Sequence, residues 1–380
     1  MKILHFSDTH LGYSELDKIG KQGINLREQD FYQTFTHVID KAIEEKPDVV
    51  LHSGDFFHRP SPTNRALTFA LEQLHRLAKH QIPISIIAGN HETPKTIFTS
   101  PILKAFGSLD NIYPIFGQGY ETQTFGELVV HGLPHINDPK VLAQEMDRIA
   151  PVAGKFNILM LHTSIGKDYL MEEYGEQLYP PERLELLNQF DYVALGHWHN
   201  HQKVSLLQTA WYSGSTERMS ETEIGKAKGY CILELKKGEK VTPVFHEVPA
   251  RPWWRIDLKD CAKKSVEDLQ SELKQKCDEL DLEGALLSLY FYQIESAQAL
   301  QLNNRALQES IAGPIHLSIK RQFVSNPEEA QLLSRKTESM DQLMKGFIHS
   351  RFEDEKQAET LSAKALHYFS LFESGEYRKK

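Results

Sequence analysis

Three apolar runs of strand length, Lys2–Phe6, Asp48–His52 and Ile82–Ile87, alternate with two stretches that carry apolar residues at helical spacing. In the first stretch, Gln29–Glu45, the residues Phe31, Phe35, Val38, Ile39 and Ala42 share a face; in the second, Thr63–Lys79, Leu67, Ala70, Leu71, Leu74 and Leu77 do. Pro47 stops the first helix, because it lacks the amide proton a further turn needs. Strand, helix, strand, helix, strand within about ninety residues calls for an α/β fold with a layered sheet.

Further strands are expected over Ile112–Phe116, Leu128–Leu133, Phe156–Leu161 and Tyr192–Leu195, with a helix over Val141–Ile149. From Val204 to Pro249 the chain is strand-rich. Arg251-Pro252-Trp253-Trp254 marks a boundary. Beyond it, Arg255–Leu258, Ala285–Tyr292 and Ile315–Ile319 read as strands, and Val266–Leu280 and Ala297–Ser310 as helices, which makes a small α+β domain. Asn326-Pro327 opens a last, helical segment. The division expected is therefore 1–250, 251–325 and 326–380.

What distinguishes the strands is how they end. Asp8 and His10 follow the first; Gly54-Asp55 and His58 the second; Gly89-Asn90-His91 the third. Phe156–Leu161 runs into His162, and Tyr192–Leu195 into Gly196-His197-Trp198-His199. In open α/β sheets the carboxyl ends of strands are where ligands bind. Each piece has an ordinary explanation: Asp-x-His recurs by chance, Gly-Asp is often only a turn, and Gly-His-x-His suits a surface loop. Five in order, each after a strand, are hard to assign to chance. Carboxylates, imidazoles and one carboxamide without thiolates suit Mn²⁺, Fe²⁺ or Zn²⁺ rather than a cysteine-type structural zinc. The set exceeds what one ion needs, and two ions about 3.5–4 Å apart sharing a carboxylate would use it. Such a pair activates water at neutral pH and neutralises charge growing on phosphorus, so hydrolysis of a phosphate ester is the expected chemistry.

Composition sets outer limits. Of the 18 histidines, 14 fall within the first 201 residues, which puts the metal chemistry in the N-terminal half. A formal net charge of −9 argues against whole-molecule attraction to nucleic acid or anionic membrane, though not against a local groove or bound cations that reverse the field. Cys231, Cys261 and Cys277 are too few and scattered for a disulfide framework, which points to a reducing compartment. The apolar run at the N-terminus is too short for a signal peptide, and no apolar stretch is long enough to span a membrane. A cytoplasmic protein with no membrane association is expected.

The motifs Asp8-Thr9-His10, Gly54-Asp55, Gly89-Asn90-His91-Glu92, His162 and Gly196-His197-Trp198-His199 resemble those of the calcineurin-like metallophosphoesterases. Phe57-His58, Arg27-Glu28-Gln29-Asp30-Phe31 and Tyr212-Ser213-Gly214-Ser215-Thr216-Glu217-Arg218 narrow the resemblance to the DNA double-strand-break repair nucleases, bacterial SbcD and its archaeal and eukaryotic meiotic-recombination counterparts. That resemblance implies a four-layer α-β-β-α sandwich with a small α+β capping domain and C-terminal helices. It implies two divalent ions, manganese by preference: Asp8, His10 and His199 for the first, Asn90, His162 and His197 for the second, with Asp55 bridging. His91 would contact the scissile phosphate, and His58 would support that phosphate or orient His91. The activity implied is 3′-to-5′ exonuclease and endonuclease on single strands or hairpins. Two positions depart from the pattern: Ser213, where many archaeal and eukaryotic relatives have Pro, and Thr9, where the bacterial subgroup commonly has Trp.

Other residues have plainer roles beside a functional one. Arg59 and Arg218, with Arg65 and Lys226, are candidates for phosphate contacts, although scattered cations are usually solvated surface. His131, His135 and His201 read as support behind the site, packing or surface, with a substrate-facing role open to His201; Trp198 reads as a core wedge rather than a base-stacking platform, and Trp253 and Trp254 as packing at the hinge, with base stacking as the alternative. The Leu67/Leu71/Leu74 face is ordinarily core; the resemblance implies that helices here form a homodimer. Met340, Leu343, Met344, Phe347 and Ile348 fall on one helical face, followed by Leu361, Ala365, Tyr368, Phe369 and Phe372. This stripe suits a groove or helix partner, which the resemblance implies is the coiled coil of an SbcC-type ABC ATPase. Two other readings stand beside the nuclease. A phosphodiesterase of small molecules such as cyclic nucleotides is disfavoured by the cap and C-terminal helices, and a scaffold with a dead site by the complete ligand set.

Overall fold

In the computed structural model the first apolar run becomes strand β1 (Lys2–Phe6), and the second and third become β2 (Val49–His52) and β3 (Ile84–Ile87). The structure describes residues 1–20, 23–96, 98–117, 119–166, 178–324, 340–351 and 355–373. Helix α1 (Leu26–Glu45) starts where the Asn25 side chain accepts the amides of Arg27 and Glu28, and it stops at Lys46, which takes a left-handed conformation ahead of Pro47. Helix α2 (Asn64–Lys79) starts where Thr63 accepts the amide of Ala66.

The strands that follow are β4 (Ile112–Ile115), β5 (Glu121–Phe125), β6 (Leu128–Leu133), β7 (Phe156–His162), β8 (Tyr192–Gly196), β9 (Gln202–Lys203), β10 (Ala210–Tyr212), β11 (Gly229–Glu234) and β12 (Val244–Glu247). Helices α3 (Pro139–Met146) and α4 (Leu184–Leu187) lie between them in sequence. Two six-stranded sheets result, ordered β12-β11-β1-β2-β3-β4 and β5-β6-β7-β8-β10-β9. The ladders β1-β2-β3-β4 and β6-β7-β8-β10 are parallel. Ile3, Val49, Leu51, Ile87, Leu128, Val130, Ile158 and Met160 form one core where the two sheets face each other. A second core joins the first sheet to α1 and α2 through Phe35, Val38, Ala70 and Leu74. A third covers the second sheet with Met146 of α3 and Leu187 of α4. These are the four layers of an α-β-β-α sandwich. Leu67 and Leu71 lie half-buried against the α1–α2 core, and Leu74 is fully enclosed.

Strand β5 has no sequence signature, because Glu121-Thr122-Gln123-Thr124-Phe125 is a polar edge. It pairs antiparallel with β6 across a turn at Gly126. Beyond residue 250, a three-stranded sheet is ordered β13 (Trp253–Leu258), β14 (Leu286–Ile294), β15 (His316–Phe323). Helix α5 spans Val266–Asp278. The single helix expected over Ala297–Ser310 is two, α6 (Ser296–Gln301) and α7 (Asn304–Ser310). Consecutive Asn303 and Asn304 interrupt it, their short amides competing with the helical backbone, and Asn303 bonds the Leu300 carbonyl.

The chain divides into two compact units, one of Met1–Ile256, Ser271–Leu289 and Asn304–Lys320, the other of Asp257–Gln270, Tyr290–Asn303 and Arg321–Lys380. Within the second, Gln298 donates to the carbonyls of Cys261 and Lys264. Helices α8 (Met340–Arg351) and α9 (Glu355–Glu373) pack on each other. The Asn326-Pro327 link lies outside the described residues.

Candidate metal centre

The carboxyl ends of the parallel strands in both sheets deliver their polar residues to one place. The first sheet brings Asp8 and His10 from β1, Asp55 and His58 from β2, and Asn90 and His91 from β3; the second brings His162 from β7 and His197 and His199 from β8. After β1 and β2 the chains stay in register, His10 N–H donating to the Asp55 carbonyl and Leu11 N–H to that of Phe56. The turns are tight: Asp8 (φ 52°), His10 (φ 39°), Asp55 (φ 54°) and His197 (φ 96°) all have left-handed backbone. Such residues are uncommon outside glycine and gather where a site over-determines them. Gly89 and Gly196 are needed for close approach. A Cβ on Gly89 would strike the backbone and carboxylate of Asp55, and one on Gly196 the Ser53 carbonyl.

Asp8, His10, Asp55 and His162 are buried, whereas Asn90, His58, His91, His197 and His199 are partly open. The potential ligand atoms of Asp8, His10 and His199 lie within 4.8 Å of one another, as do those of Asp8, Asp55 and His162, and those of His10, His58 and His91. His10 Nε2 is 3.2 Å from His199 Nε2. Asp55 Oδ2 lies 3.2 Å from His162 Nε2 and 3.8 Å from His10 Nε2, so it stands between the two groups. His162 Nε2 is 3.0 Å from Asn90 Oδ1. The His197 ring neighbours that of His162, with centroids 5.3 Å apart, and its amide donates to Asp8 at 3.0 Å.

The donor set fits divalent cations on two counts. Ligands about 2.0–2.2 Å from one ion stand roughly 3–3.5 Å from each other, and the His10–His199, Asp55–His162 and Asn90–His162 separations of 3.2, 3.2 and 3.0 Å fall in that range. The imidazoles are also held from behind. His162 Nδ1 donates to the Ser53 carbonyl at 2.8 Å and His91 Nδ1 to the His58 carbonyl at 3.0 Å. A carbonyl only accepts, so the proton sits on Nδ1 and Nε2 is left facing inward, as metal-site histidines are arranged. Asp8 is aimed similarly: Ser7 Oγ bonds its Oδ2 and meets Ser213 Oγ at 2.7 Å.

Burial pushes the Asp55 carboxyl up, but the His162 and His91 imidazoles outweigh it and hold the group well below the usual carboxylate range. Burial pushes His162 down, and the Asp55 carboxylate reverses this and raises it. His10 stays well below the ordinary value, chiefly through burial, which favours the neutral ring a cation needs. Glu92 is buried beside this group and is pushed up to about 8 by burial and by Asp55; its Oε1 receives the amides of Phe56 and Gly89 and ties the β2 and β3 turns together.

Several residues lie elsewhere than at the centre. Arg59 is exposed next to His58. Arg218 is half-buried, its terminal nitrogens donating to the carbonyls of Arg251 and Lys226. It adjoins an ion-pair lattice in which Arg27 and Arg251 both grip Asp30 and Glu217 receives the amides of Arg218 and Arg251. Arg65 pairs with Glu28. His131 is enclosed between Tyr120 and Asn157, and His201 lies between Phe245 and Trp211. Trp198 packs against the core of the second sheet. Trp253 Nε1 donates to Ser288 and Trp254 Nε1 to the Asp281 carbonyl. Thr9 points beneath the site and bonds His52 and the Phe56 carbonyl. His135 borders a cleft of about 330 Å³ with Thr93, Pro94, Lys95 and Asn137.

Ser7, Ser53, Glu223 and Lys228 brace the site as well. Their partners are brought in by tertiary structure, and no periodicity or motif marks them. Glu223 bonds His199 Nδ1 at 3.1 Å. Burial pushes its carboxyl up, yet His199 and Lys228 hold it down at about 2.

Residues 1–201 match the family model for calcineurin-like phosphoesterases. Among curated proteins, the "DNA double-strand break repair protein Mre11" of Sulfolobus acidocaldarius is 33% identical over 72% of this chain and 71% of its own length. The protein of that name from Sulfurisphaera tokodaii is 33% identical over 74% and 70%. That from Methanococcus maripaludis is 28% identical over 73% and 75%. The matched region holds every strand-end motif described above, and the chain therefore belongs to the calcineurin-like phosphoesterase family and, within it, to the Mre11 proteins.

Proposed function

We propose that this protein is a DNA nuclease that hydrolyses phosphodiester bonds with two divalent cations, manganese in the first place. The observation that carries the reading is the convergence of Asp8, His10, Asp55, Asn90, His162, His197 and His199 at one edge shared by two sheets, with the imidazoles of His162 and His199 secured from behind. Asp8, His10 and His199 are assigned to one cation, Asn90, His162 and His197 to the other, and Asp55 to both. When bound, such a pair activates water and neutralises the charge that develops on the phosphorus oxygens.

The chain's own residues do the rest. Asp55 stays ionised among the imidazoles. His91, 35% exposed and locked by its Nδ1–H to the His58 carbonyl, presents Nε2 to the scissile phosphate; with a second proton on that nitrogen, the imidazolium stabilises the phosphate charge or passes the Nε2 proton to the leaving oxygen and returns to the neutral ring. His58 orients it. Arg59 and Arg218 are the basic groups proposed for DNA phosphates. Of the two, Arg59 is free to do so, whereas Arg218 would have to release the carbonyls it now bonds.

The repair role named for the Mre11 relatives supports DNA as substrate, cut by 3′-to-5′ exonuclease action and by endonuclease action on single strands and hairpins. The same reading gives the functional division 1–250, 251–325 and 326–380 and a cytoplasmic location. It assigns homodimerisation to the α1–α2 region, and binding of an SbcC-type ABC ATPase to the C-terminal helices. No helix among the described residues is long and apolar enough to cross a membrane.

The test is cleavage of end-labelled duplex and single-stranded DNA by purified protein with Mn²⁺, beside His91→Ala. The variant should bind cations as the parent does yet cut about 10²–10⁴-fold more slowly. Turnover of a chromogenic diester without DNA cleavage would make the protein a small-molecule phosphodiesterase. Cation binding with no hydrolysis would make it a scaffold.

A further inference from the structure

Glu223 and Lys228 are a buried pair, 4% and 1% exposed. Together they grip His199 at two points. Glu223 Oε1 accepts from His199 Nδ1 at 3.1 Å, and Glu223 Oε2 meets the Lys228 ammonium. That ammonium also donates to the carbonyl of His199 itself at 2.7 Å and to Ser215 Oγ at 2.9 Å. All three of its protons are thereby engaged. Glu223 Oε1 further receives the Met219 amide at 3.3 Å and the Ser220 hydroxyl at 3.4 Å.

The other secured imidazoles are held by neutral groups. His162 leans on the Ser53 carbonyl and His91 on the His58 carbonyl. A carbonyl fixes the ring and its tautomer. A carboxylate in that position does both and also makes the inward nitrogen a stronger electron donor. Alone, a buried carboxylate would carry a heavy desolvation penalty, which the adjoining ammonium offsets. The pair brings no net charge to the region, and of the two proposed ligand sets its hydrogen bonds to His199 reach the first.

We infer that Glu223, backed by Lys228, is a positioning residue that sets the tautomer and donor strength of His199, so that the affinity of the Asp8–His10–His199 cation site is adjusted separately from that of the Asn90–His162–His197 site. The inference rests on the two-cation reading. The experiment is calorimetric titration of chelator-stripped, full-length protein with Mn²⁺. The parent should show two binding events. Glu223→Gln should weaken one of them about 10- to 100-fold and leave the other unchanged, with the melting temperature of the stripped protein preserved. In an Asn90→Ala background the weakened event should be the one that remains. Because Glu223→Gln leaves the Lys228 ammonium without a counter-charge, the neutral pair Glu223→Gln/Lys228→Met is titrated as well, and the same selective loss is expected. Unchanged affinity in both variants overturns the inference. So does equal weakening of both events with a lowered melting temperature, which would mean a general structural role. A parent that binds no cation overturns the two-cation reading itself, and this inference with it.

Discussion

Asp55 stands between the two ligand groups, 3.2 Å from one imidazole and 3.8 Å from another. Its backbone is left-handed, and its carboxylate also accepts the His91 amide at 2.9 Å. A single substitution there should reach both cations. Asp55→Asn should lower the affinity for both, whereas Asn90→Ala should damage mainly one; Mn²⁺ titration separates the two outcomes. His5 is a different kind of residue. It is enclosed between the Tyr192 hydroxyl and Ser53 Oγ, each 3.0 Å away, and burial pushes it down to about 3. Above its ordinary value near 6.5 the ring is neutral in both folded and unfolded chains and costs nothing. Below that value the unfolded chain takes up a proton that the folded one refuses, so stability falls with pH until about 3. The slope is about 1.4 kcal/mol per pH unit for each such group. His5→Gln should therefore flatten the dependence of unfolding free energy on pH between 6 and 4, measured by denaturant titration.

At the scale of elements, stability is concentrated where helices and sheets share apolar faces. Leu74 of α2 is fully enclosed with Phe35, Val38 and Ala70. Leu74→Ala should cost about 2–5 kcal/mol, seen as a lower denaturation midpoint. The same apolar patterning is why most of the sandwich was legible. Buried parallel strands read as continuous apolar runs, so β1, β6 and β7 stand out in the sequence within a residue or so of their observed ends. Strand β5 did not, since an edge strand needs no apolar side chains on its own account. The break between α6 and α7 was hidden because helical spacing continues across it. The candidate ligand residues were legible because each follows a strand end. The residues that brace them were not. Glu223 is 24 positions from the histidine it holds and Lys228 is 29 from the carbonyl it bonds. Such pairs are set by how loops fold onto one another.

At the scale of the whole molecule, the boundary proposed at residue 326 makes a prediction of its own. Deleting the chain from about Asn326 onward should abolish binding of the proposed ATPase partner while sparing Mn²⁺-dependent phosphodiesterase activity; loss of both would count against the assignment. Another consequence follows from the origin of the ligands. Asp8, His10, Asp55 and Asn90 hang from one sheet, and His162, His197 and His199 from the other. Away from this edge, the sheets meet through apolar side chains such as Ile87 and Met160 and through the hydrogen bond between His5 and the Tyr192 hydroxyl. Cations shared across the edge would act as a clasp, turning small slips between the sheets into changes of affinity. Chelation should then leave each ladder intact and quicken amide hydrogen exchange only at the strand ends along the seam.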